Sequence, residues 1–394
     1  MPASTRTPTT SIVRITGMLL LSSCGGSGGS VDGPSPERIA ALGARIFSDT
    51  SLSASGLQSC ASCHDAAFAH GPPNTLAVQP GGPTMDQQGH RAAPSIDYAS
   101  LGGPFRFDAD GRPVGGLFWD GRAATLQAQA GDPLLSPQEM ANNSRAEVIT
   151  RLARAAYADE FKALFGADIF GRSDEAFDRA TLALQQFQLG SGFRPFSSKY
   201  DAVLRGSATL SAEEQRGLAL FNDVAKGNCA ACHPATRGAD GSPPLFTNHG
   251  YDNLGVPRNG MIIRNEDGLY FDLGLCDRAD LRQRPDLCGF FKVPTLRNVA
   301  RRGSYFHNGR FGSLREVLSF YATRDTQPER WYPVEAGGQV LKFDDLPPQH
   351  RGKVNTRVPP YAGRQPGDAP ALSEAEIDDL LAFLLTLNDG FVRP

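Results

Sequence analysis

The motif C-x-x-C-H occurs twice in this chain of 394 residues, at Cys60–His64 and at Cys229–His233. Two thiols at this spacing can bond to the two vinyl groups of one porphyrin, and the histidine that follows can bind its iron. A zinc half-site and a thioredoxin-like dithiol are the alternatives, but neither requires that histidine or explains the repeat. The sequence therefore predicts two covalently bound haem c groups, held by Cys60, Cys63 and His64 and by Cys229, Cys232 and His233.

The apolar periodicity predicts that a helix leads into each haem motif and that a second helix lies near the end of each half. The chain contains 43 glycine and 29 proline residues, which indicates abundant loops. Strand signals are weak. We therefore expect a mainly α fold of two cytochrome c-like haem domains with long loops and little β. The predicted helices cover residues 36–46, 174–188, 210–223 and 373–387, and the predicted domains cover residues 36–205 and 206–394.

The N-terminal segment has the features of an export signal. Residues 1–23 carry two charges, both arginine, and end in a short apolar run. The stretch Leu21–Cys24 resembles a bacterial lipobox, so Cys24 is expected to be lipidated and residues 24–35 to form a flexible tether. The alternative is an ordinary cleaved signal peptide with an incidental cysteine. The predicted location is the periplasm. A lipid anchor is expected to attach the protein to the outer membrane, and no other attachment to a membrane is expected.

Two cysteines remain, Cys276 and Cys288, twelve positions apart in a predicted loop. An exported protein favours a disulfide between them, and two unpaired buried thiols are the alternative. The formal net charge is −3 and no basic patch stands out, so nucleic acid is not expected as a partner.

Several further motifs make the chain from about residue 36 to its C-terminus resemble the bacterial di-haem cytochrome c peroxidases and their relative MauG. MauG is the di-haem enzyme that completes a tryptophan-derived quinone cofactor in a partner protein. Besides both haem motifs, the resemblance rests on Phe118–Ala123, on the spacing of Gln129, Pro133 and Glu139, on Phe291–Asn298 and on Tyr305–Gly309.

The resemblance implies that peroxide is cleaved at the N-terminal haem. A glutamate twenty residues after the tryptophan of the first of these motifs lies over its open face, which assigns Glu139 from Trp119. Heterolytic cleavage of O–O needs a base and then an acid, and one buried carboxyl can serve as both. Gln129 matches a distal glutamine that can hydrogen-bond the peroxide, and Pro133 matches a distal proline that shapes the pocket.

The resemblance places Trp119 between the two haems, where an indole can carry electrons. It also assigns the second haem's sixth ligand to Tyr321, where the peroxidases have methionine and MauG has tyrosine. Phenolate is a hard anionic donor that favours ferric iron, whereas methionine raises the reduction potential. The alternatives are that Tyr321 is a packed aromatic residue, or that Met261 is the ligand.

Two departures from the peroxidase pattern concern the space around the first haem. Pro80 occupies the position of a histidine that caps the first iron in the peroxidases, so we expect that iron to be five-coordinate; His70 and His90 are nearby and are interpreted as surface residues. Ala92 occupies the position of an asparagine that binds calcium, while Arg302 and Ser304 would supply carbonyl oxygens. Calcium is therefore left open, with its absence favoured and with Arg302 as a candidate substitute.

The predicted function is a di-haem c-type peroxidase, an oxidoreductase that reduces hydrogen peroxide at the N-terminal haem. Electrons would come through the second haem from a small periplasmic donor such as a cytochrome c or a cupredoxin. One alternative is a MauG-like oxidase that oxidises a partner protein or organic substrate through a bis-ferryl type intermediate. Another is an electron-transfer cytochrome without catalysis. The donor, the organic substrate and a homodimeric state stay open.

Overall fold

The structure is a computed structural model that describes residues 34–393, so Cys24, the predicted leader 1–23 and most of the tether lie outside it. Helices account for most of the regular structure, as predicted, and the strands are two residues long. The helices are α1 (Pro36–Phe47), α2 (Cys60–Cys63), α3 (Leu126–Leu135), α4 (Arg145–Leu152), α5 (Ala158–Phe165), α6 (Ser173–Gln188), α7 (Lys199–Leu204), α8 (Ala212–Asn222), α9 (Leu314–Thr323), α10 (Pro348–Arg351) and α11 (Glu374–Leu385). The strands are β1 (Pro80–Gly81), β2 (Gln87–Gln88), β3 (Arg106–Phe107), β4 (Pro113–Val114), β5 (Tyr251–Asp252) and β6 (Phe291–Lys292).

In the N-terminal half, α1 crosses α6, as predicted for the first and last helices of a cytochrome c-like unit. Ser35 caps α1, and a proline in its first turn fits there because the first helical N–H needs no partner within the helix. The crossing is tight at Gly43, where a Cβ atom would collide with the carbonyl of Ala183 in α6. Only a glycine allows the two backbones to come this close.

The C-terminal half repeats this arrangement with α8 and α11. Each helix begins with a capping box, formed by Ser211 and Glu214 and by Ser373 and Glu376. Gly217 in α8 faces the carbonyl of Asp379 in α11 and has no room for a Cβ atom. The same close approach therefore occurs in both halves, as expected for two cytochrome c-like units.

Each half has its own hydrophobic core. One core runs from Leu42 to Phe193, and the other runs from Tyr200 to Leu387. The helix α7, just before the predicted boundary between the halves, contributes Tyr200 to the second core. The described residues nevertheless cluster as one compact unit by their contacts, and the division at residues 205/206 stays a prediction.

The strands pair in three antiparallel ribbons, β1 with β2, β3 with β4 and β5 with β6. They stabilise turns rather than form a layer, so the expectation of little β structure is confirmed. Cys276 and Cys288 are paired in a disulfide, with 4.9 Å between their Cα atoms, beside a small apolar cluster around Leu275. None of the helices that the structure describes is long and apolar enough to cross a membrane.

Candidate active site

A large internal cavity of about 790 Å³ is lined by both C-x-x-C-H motifs. Residues of both halves form its walls, including Trp119, Glu139 and Tyr321. The cavity therefore brings together residues that lie far apart in the sequence and that the motif spacing assigns to two connected centres.

Both motif histidines are held so that one ring nitrogen remains free for a ligand. His64 Nδ1 lies 3.0 Å from the carbonyl oxygen of His70, and His233 Nδ1 lies 2.8 Å from that of Phe246. With Nδ1 hydrogen-bonded to a carbonyl, Nε2 is the atom available to a metal. Burial lowers the pKa of each imidazole to about 4, so both are neutral at physiological pH, as metal ligands must be.

The four motif cysteines lie at the cavity wall, and none is paired with another cysteine of residues 34–393. Burial raises the pKa of Cys60 and Cys229 to about 12 and that of Cys63 and Cys232 to about 11. They are therefore thiols rather than thiolates in this structure. Their placement beside an apolar cavity suits attachment of a flat hydrophobic group.

Two cations at the cavity wall also fit a carboxylate-bearing group such as haem, whose propionates are anions. Arg302 and Lys292 both line the cavity, and within the described part of the chain neither forms an ion pair. Burial lowers their pKa values to about 10 and about 8. A buried cation without a counterion is costly. The shape, the imidazoles, the thiols and these cations together fit two haem groups.

The helix α3 presents two of the predicted distal residues, Gln129 and Pro133, to the cavity. Thr125 caps this helix, so its start is fixed close to the cavity. Residues four positions apart lie on one helical face, which puts the amide and the ring together. Pro133 also lacks the N–H that would bond to the Gln129 carbonyl, so the proline affects the backbone beneath the glutamine.

Glu139 lies in the turn that follows α3. Its N–H donates to the Ser136 carbonyl and its own carbonyl accepts from Gly82, which fixes the turn against β1. Burial is the largest effect on the carboxyl and raises its pKa above the ordinary value of 4.5. A negative charge there would also raise the pKa values of Cys60 and Cys63, which places Glu139 on the side of the first motif.

Pro80 also lines this side of the cavity, in strand β1. A proline ring has no metal-binding atom, so this position presents no ligand to the first centre. The interpretation of His70 and His90 as surface residues is wrong. His70 is largely buried, bonds to Asp97 at 2.7 Å and stacks on Phe193, while His90 lines the cavity.

Trp119 lies where the two halves meet and is attached to both. Its indole Nε1–H donates to the Ala92 carbonyl at 2.8 Å, and its own carbonyl accepts from the Lys292 N–H of β6 at 2.9 Å. The side chain is 9% exposed. The indole therefore has a fixed position in the cavity wall.

A buried ion-pair network next to Trp119 was not predicted. The Arg91 guanidinium bonds to Asp120 at 2.5 Å and to both carboxylate oxygens of Asp272, at 2.6 and 2.7 Å. The Arg91 guanidinium thus joins two carboxylates that lie 29 and 181 positions further along the chain. The one indication in the sequence is Arg91 itself, which precedes Ala92. No local pattern identifies its two acidic partners.

Tyr321 belongs to α9 and lines the cavity on the side of the second motif, where burial raises its pKa well above its ordinary value. Negative charge on Cys229 or Cys232 would raise that pKa further, which shows that the phenol is near these thiols. Met261, the other candidate ligand, is 69% exposed on a surface loop. Tyr321 is thus the candidate that the fold directs into the cavity.

Comparison with known proteins identifies relatives along almost the whole chain. A model of the family described as di-haem cytochrome c peroxidase matches residues 37–209. The methylamine utilization protein MauG of Paracoccus denitrificans is 39% identical over 377 residues, which cover 92% of this chain and 91% of that protein. The cytochrome c551 peroxidase of Nitrosomonas europaea is 29% identical over 287 residues, which cover 72% of this chain and 73% of that protein.

Solved structures give the same picture. The diheme peroxidase BthA from Burkholderia thailandensis is 39% identical, with a TM-score of 0.83 and coverage of 91% of this chain and 90% of that one. A variant of BthA in which methionine replaces a tyrosine aligns equally well, with a TM-score of 0.83. A MauG-like protein associated with microbial copper homeostasis is 28% identical, with a TM-score of 0.62 and coverage of 91% and 92%.

Proposed function

The chain belongs to the di-haem cytochrome c peroxidase and MauG family, and we propose that it reduces hydrogen peroxide at a haem bound by Cys60, Cys63 and His64. It is an oxidoreductase of the peroxidase type. The observation that carries the proposal is the unequal surroundings of the two motifs. The Glu139 carboxyl lies near Cys60 and Cys63, whereas the Tyr321 phenol lies near Cys229 and Cys232.

Both haem groups would be attached through thioether bonds to the motif cysteines, and the first would supply the iron at which peroxide is reduced. Glu139 would accept a proton from the peroxide and return it to the departing oxygen. The raised pKa supports both roles, because it brings the acid and base forms of the carboxyl closer to balance near neutral pH. Gln129 would hold the peroxide through its amide, and Pro133 would keep that part of the wall rigid.

Trp119 would carry electrons between the two centres. Its hydrogen bonds support this role, because the indole is bonded to Ala92 in one half and the Trp119 backbone to Lys292 in the other. Tyr321 would close the second centre as the sixth ligand. The reducing electrons would come from a small periplasmic protein, a cytochrome c or a cupredoxin.

A MauG-like oxidation of a partner protein or organic substrate is the second candidate function. Tyr321 at the cavity wall favours it, because a phenolate ligand stabilises the oxidised centre and makes it a poor store of electrons. The identity of 39% to MauG over nearly the full length of both proteins also supports it. The two functions share the peroxide step and differ in the final electron source.

One experiment on Glu139 tests the peroxide step. Glu139→Gln keeps the size of the side chain and removes its proton exchange, so peroxide turnover should fall by about 10²–10⁴-fold. The wild-type rate should also decline as the pH falls through a pKa above 4.5, because protonation removes the base, and this inflection should be absent in the variant. The matched control is Glu213→Gln, an exposed glutamate in α8.

Steady-state rates across the pH range, with an artificial electron donor, give the comparison. Glu213→Gln should match the wild-type protein. Unchanged turnover in Glu139→Gln would remove this residue from the mechanism.

We propose that no calcium is held between the centres. Ala92 has no side-chain oxygen, and the Arg302 guanidinium donates to the Ala93 carbonyl at 3.0 Å and to the Ser304 carbonyl at 3.3 Å. Arg302 and Ser304 are the positions whose carbonyls were predicted to face a calcium ion. A cation from the chain itself thus bonds to one of the carbonyls that a calcium ion would use.

We propose that the protein is exported to the periplasm and anchored to the outer membrane through lipid on Cys24. The charged and apolar pattern of residues 1–23 and the Cys276–Cys288 disulfide support export. Membrane fractions should contain the wild-type protein, while Cys24→Ser should move it to the soluble periplasmic fraction. Equal membrane retention of both would contradict lipidation at Cys24.

A further inference from the structure

A second tyrosine at the cavity wall has no assigned role. Tyr361 lies in the long loop between α10 and α11, is 3% exposed and lines the cavity near Tyr321. Its hydroxyl is buried and has no hydrogen-bond partner within residues 34–393. A buried hydroxyl without a partner costs free energy, so a partner is expected in the assembled holoprotein.

Tyr321 lines the same cavity wall. The rings of Tyr321 and Tyr361 stack with 6.2 Å between their centroids and 21° between their planes. A negative charge on Tyr361 would raise the pKa of Tyr321, so the two phenols lie close enough for their charges to interact.

The guanidinium of Arg324 lies over the ring of Tyr361 and affects its electron density. The guanidinium lies 3.4 Å from the centroid of the Tyr361 ring and is held there by Asp325, by the Leu254 carbonyl and by the Asn355 carbonyl. A cation over the ring withdraws electron density from it. The O–H group therefore becomes a stronger donor, and the ring becomes harder to oxidise. Both effects favour a hydrogen-bond donor over an electron carrier.

We propose that Tyr361 is a positioning residue that donates a hydrogen bond to the oxygen of Tyr321 and thereby weakens the donation of this ligand to the second iron. The inference rests on the proposed role of Tyr321 as the sixth ligand. A phenolate oxygen in a buried site is an anion, and hydrogen bonds to charged groups are stronger than those between neutral groups. The hydroxyl of Tyr361 would thus set how strongly the second centre prefers the ferric state.

The test removes only the hydroxyl. Tyr361→Phe keeps the ring, its stacking on Tyr321 and its contact with Arg324. The ferric-to-ferrous ratio of the second haem at a fixed ambient potential should rise roughly tenfold, a shift of the midpoint by about 59 mV to more negative potential. The phenolate-to-iron charge-transfer absorption should shift as well.

Tyr332→Phe is the matched control. Tyr332 is equally buried in the same core, but its hydroxyl donates to the Gly255 carbonyl at 2.6 Å and it does not line the cavity. This control should leave the potential and the absorption unchanged. Thermal unfolding of both variants verifies that the fold is retained.

A double-mutant cycle separates this inference from the ligand assignment. Tyr321→Met alone should abolish the charge-transfer absorption and raise the potential of the second haem, and adding Tyr361→Phe should then cause no further shift. If Tyr321→Met changes neither property, the ligand assignment fails. If it changes both but Tyr361→Phe changes nothing, the inference alone fails.

Two other outcomes overturn the inference. An equal shift from Tyr361→Phe in the Tyr321→Met background would show that the hydroxyl acts elsewhere, for example on a haem propionate. Loss of the charge-transfer absorption in Tyr361→Phe alone would make Tyr361 the ligand itself.

Discussion

We propose that a single side chain, Arg302, takes the place of a metal ion. Ala92 lacks the oxygen that a calcium site would need, and Arg302 points its guanidinium at backbone carbonyls in the same region. Burial is the main influence on this guanidinium and lowers its pKa to about 10, which still leaves it charged near neutral pH. Arg302 therefore provides a permanent positive charge at the cavity wall, independent of any ion in solution.

The purified holoprotein should therefore contain far less than one calcium per chain. Metal analysis by mass spectrometry measures this directly, and a chelator should leave the absorption spectra of both haems unchanged. One tightly held calcium per chain, with spectra that change on chelation, would refute the substitution by Arg302.

The sequence could predict the residues of the site whose positions follow a fixed spacing from a motif. Glu139 and Tyr321 were found in this way, and the structure directs both into the cavity. The sequence could not predict that Tyr361 lines the cavity or that Arg91 pairs with Asp272. Those contacts join segments far apart in the chain, and only the folded backbone brings them together.

At the level of helices, the two glycine crossings explain how each half encloses its part of the cavity. Gly43 faces the Ala183 carbonyl, and Gly217 faces the Asp379 carbonyl. A backbone carbonyl cannot rotate away as a flexible side chain can. The two helices of each pair can therefore approach this closely only if the residue at the crossing, Gly43 or Gly217, has no Cβ atom.

Gly43→Ala should destabilise the protein by about 1–3 kcal/mol, the usual cost of overpacking. Helix propensity alone favours alanine by about 1 kcal/mol, so a loss of stability would show that the crossing decides the outcome. Denaturant unfolding followed by circular dichroism measures the difference. The control is Gly192→Ala, where a Cβ atom meets no neighbour within 4 Å.

A change within about 0.5 kcal/mol for Gly192→Ala is expected, as for most surface substitutions. Equal stability of Gly43→Ala and the wild-type protein would mean that the helices can separate without cost.

The long helices were predictable because their apolar spacing and capping residues are local signals. The helices α1, α6, α8 and α11 begin and end within two residues of the predicted bounds. The two-residue strands were not predictable, since so short a segment shows no periodicity. The loops that contribute Trp119 and Tyr361 to the cavity take their shape from contacts with segments far apart in the sequence, which no window of sequence contains.

At the scale of the whole molecule, the two halves are similar in architecture and unequal in chemistry. Each has a motif, a crossing helix pair and a core of its own. In the shared cavity the Glu139 carboxyl lies near the first motif and the Tyr321 phenol lies near the second. Trp119 is hydrogen-bonded to a residue of each half, and we propose that it connects the two centres.

The electron paramagnetic resonance spectrum of the resting ferric protein tests this inequality most directly. A first haem with an open face and a second haem closed by Tyr321 should give one high-spin and one low-spin signal of equal intensity. Two low-spin signals would mean that both irons have six strong ligands, which would contradict the assignment of a peroxide-binding site to the first motif.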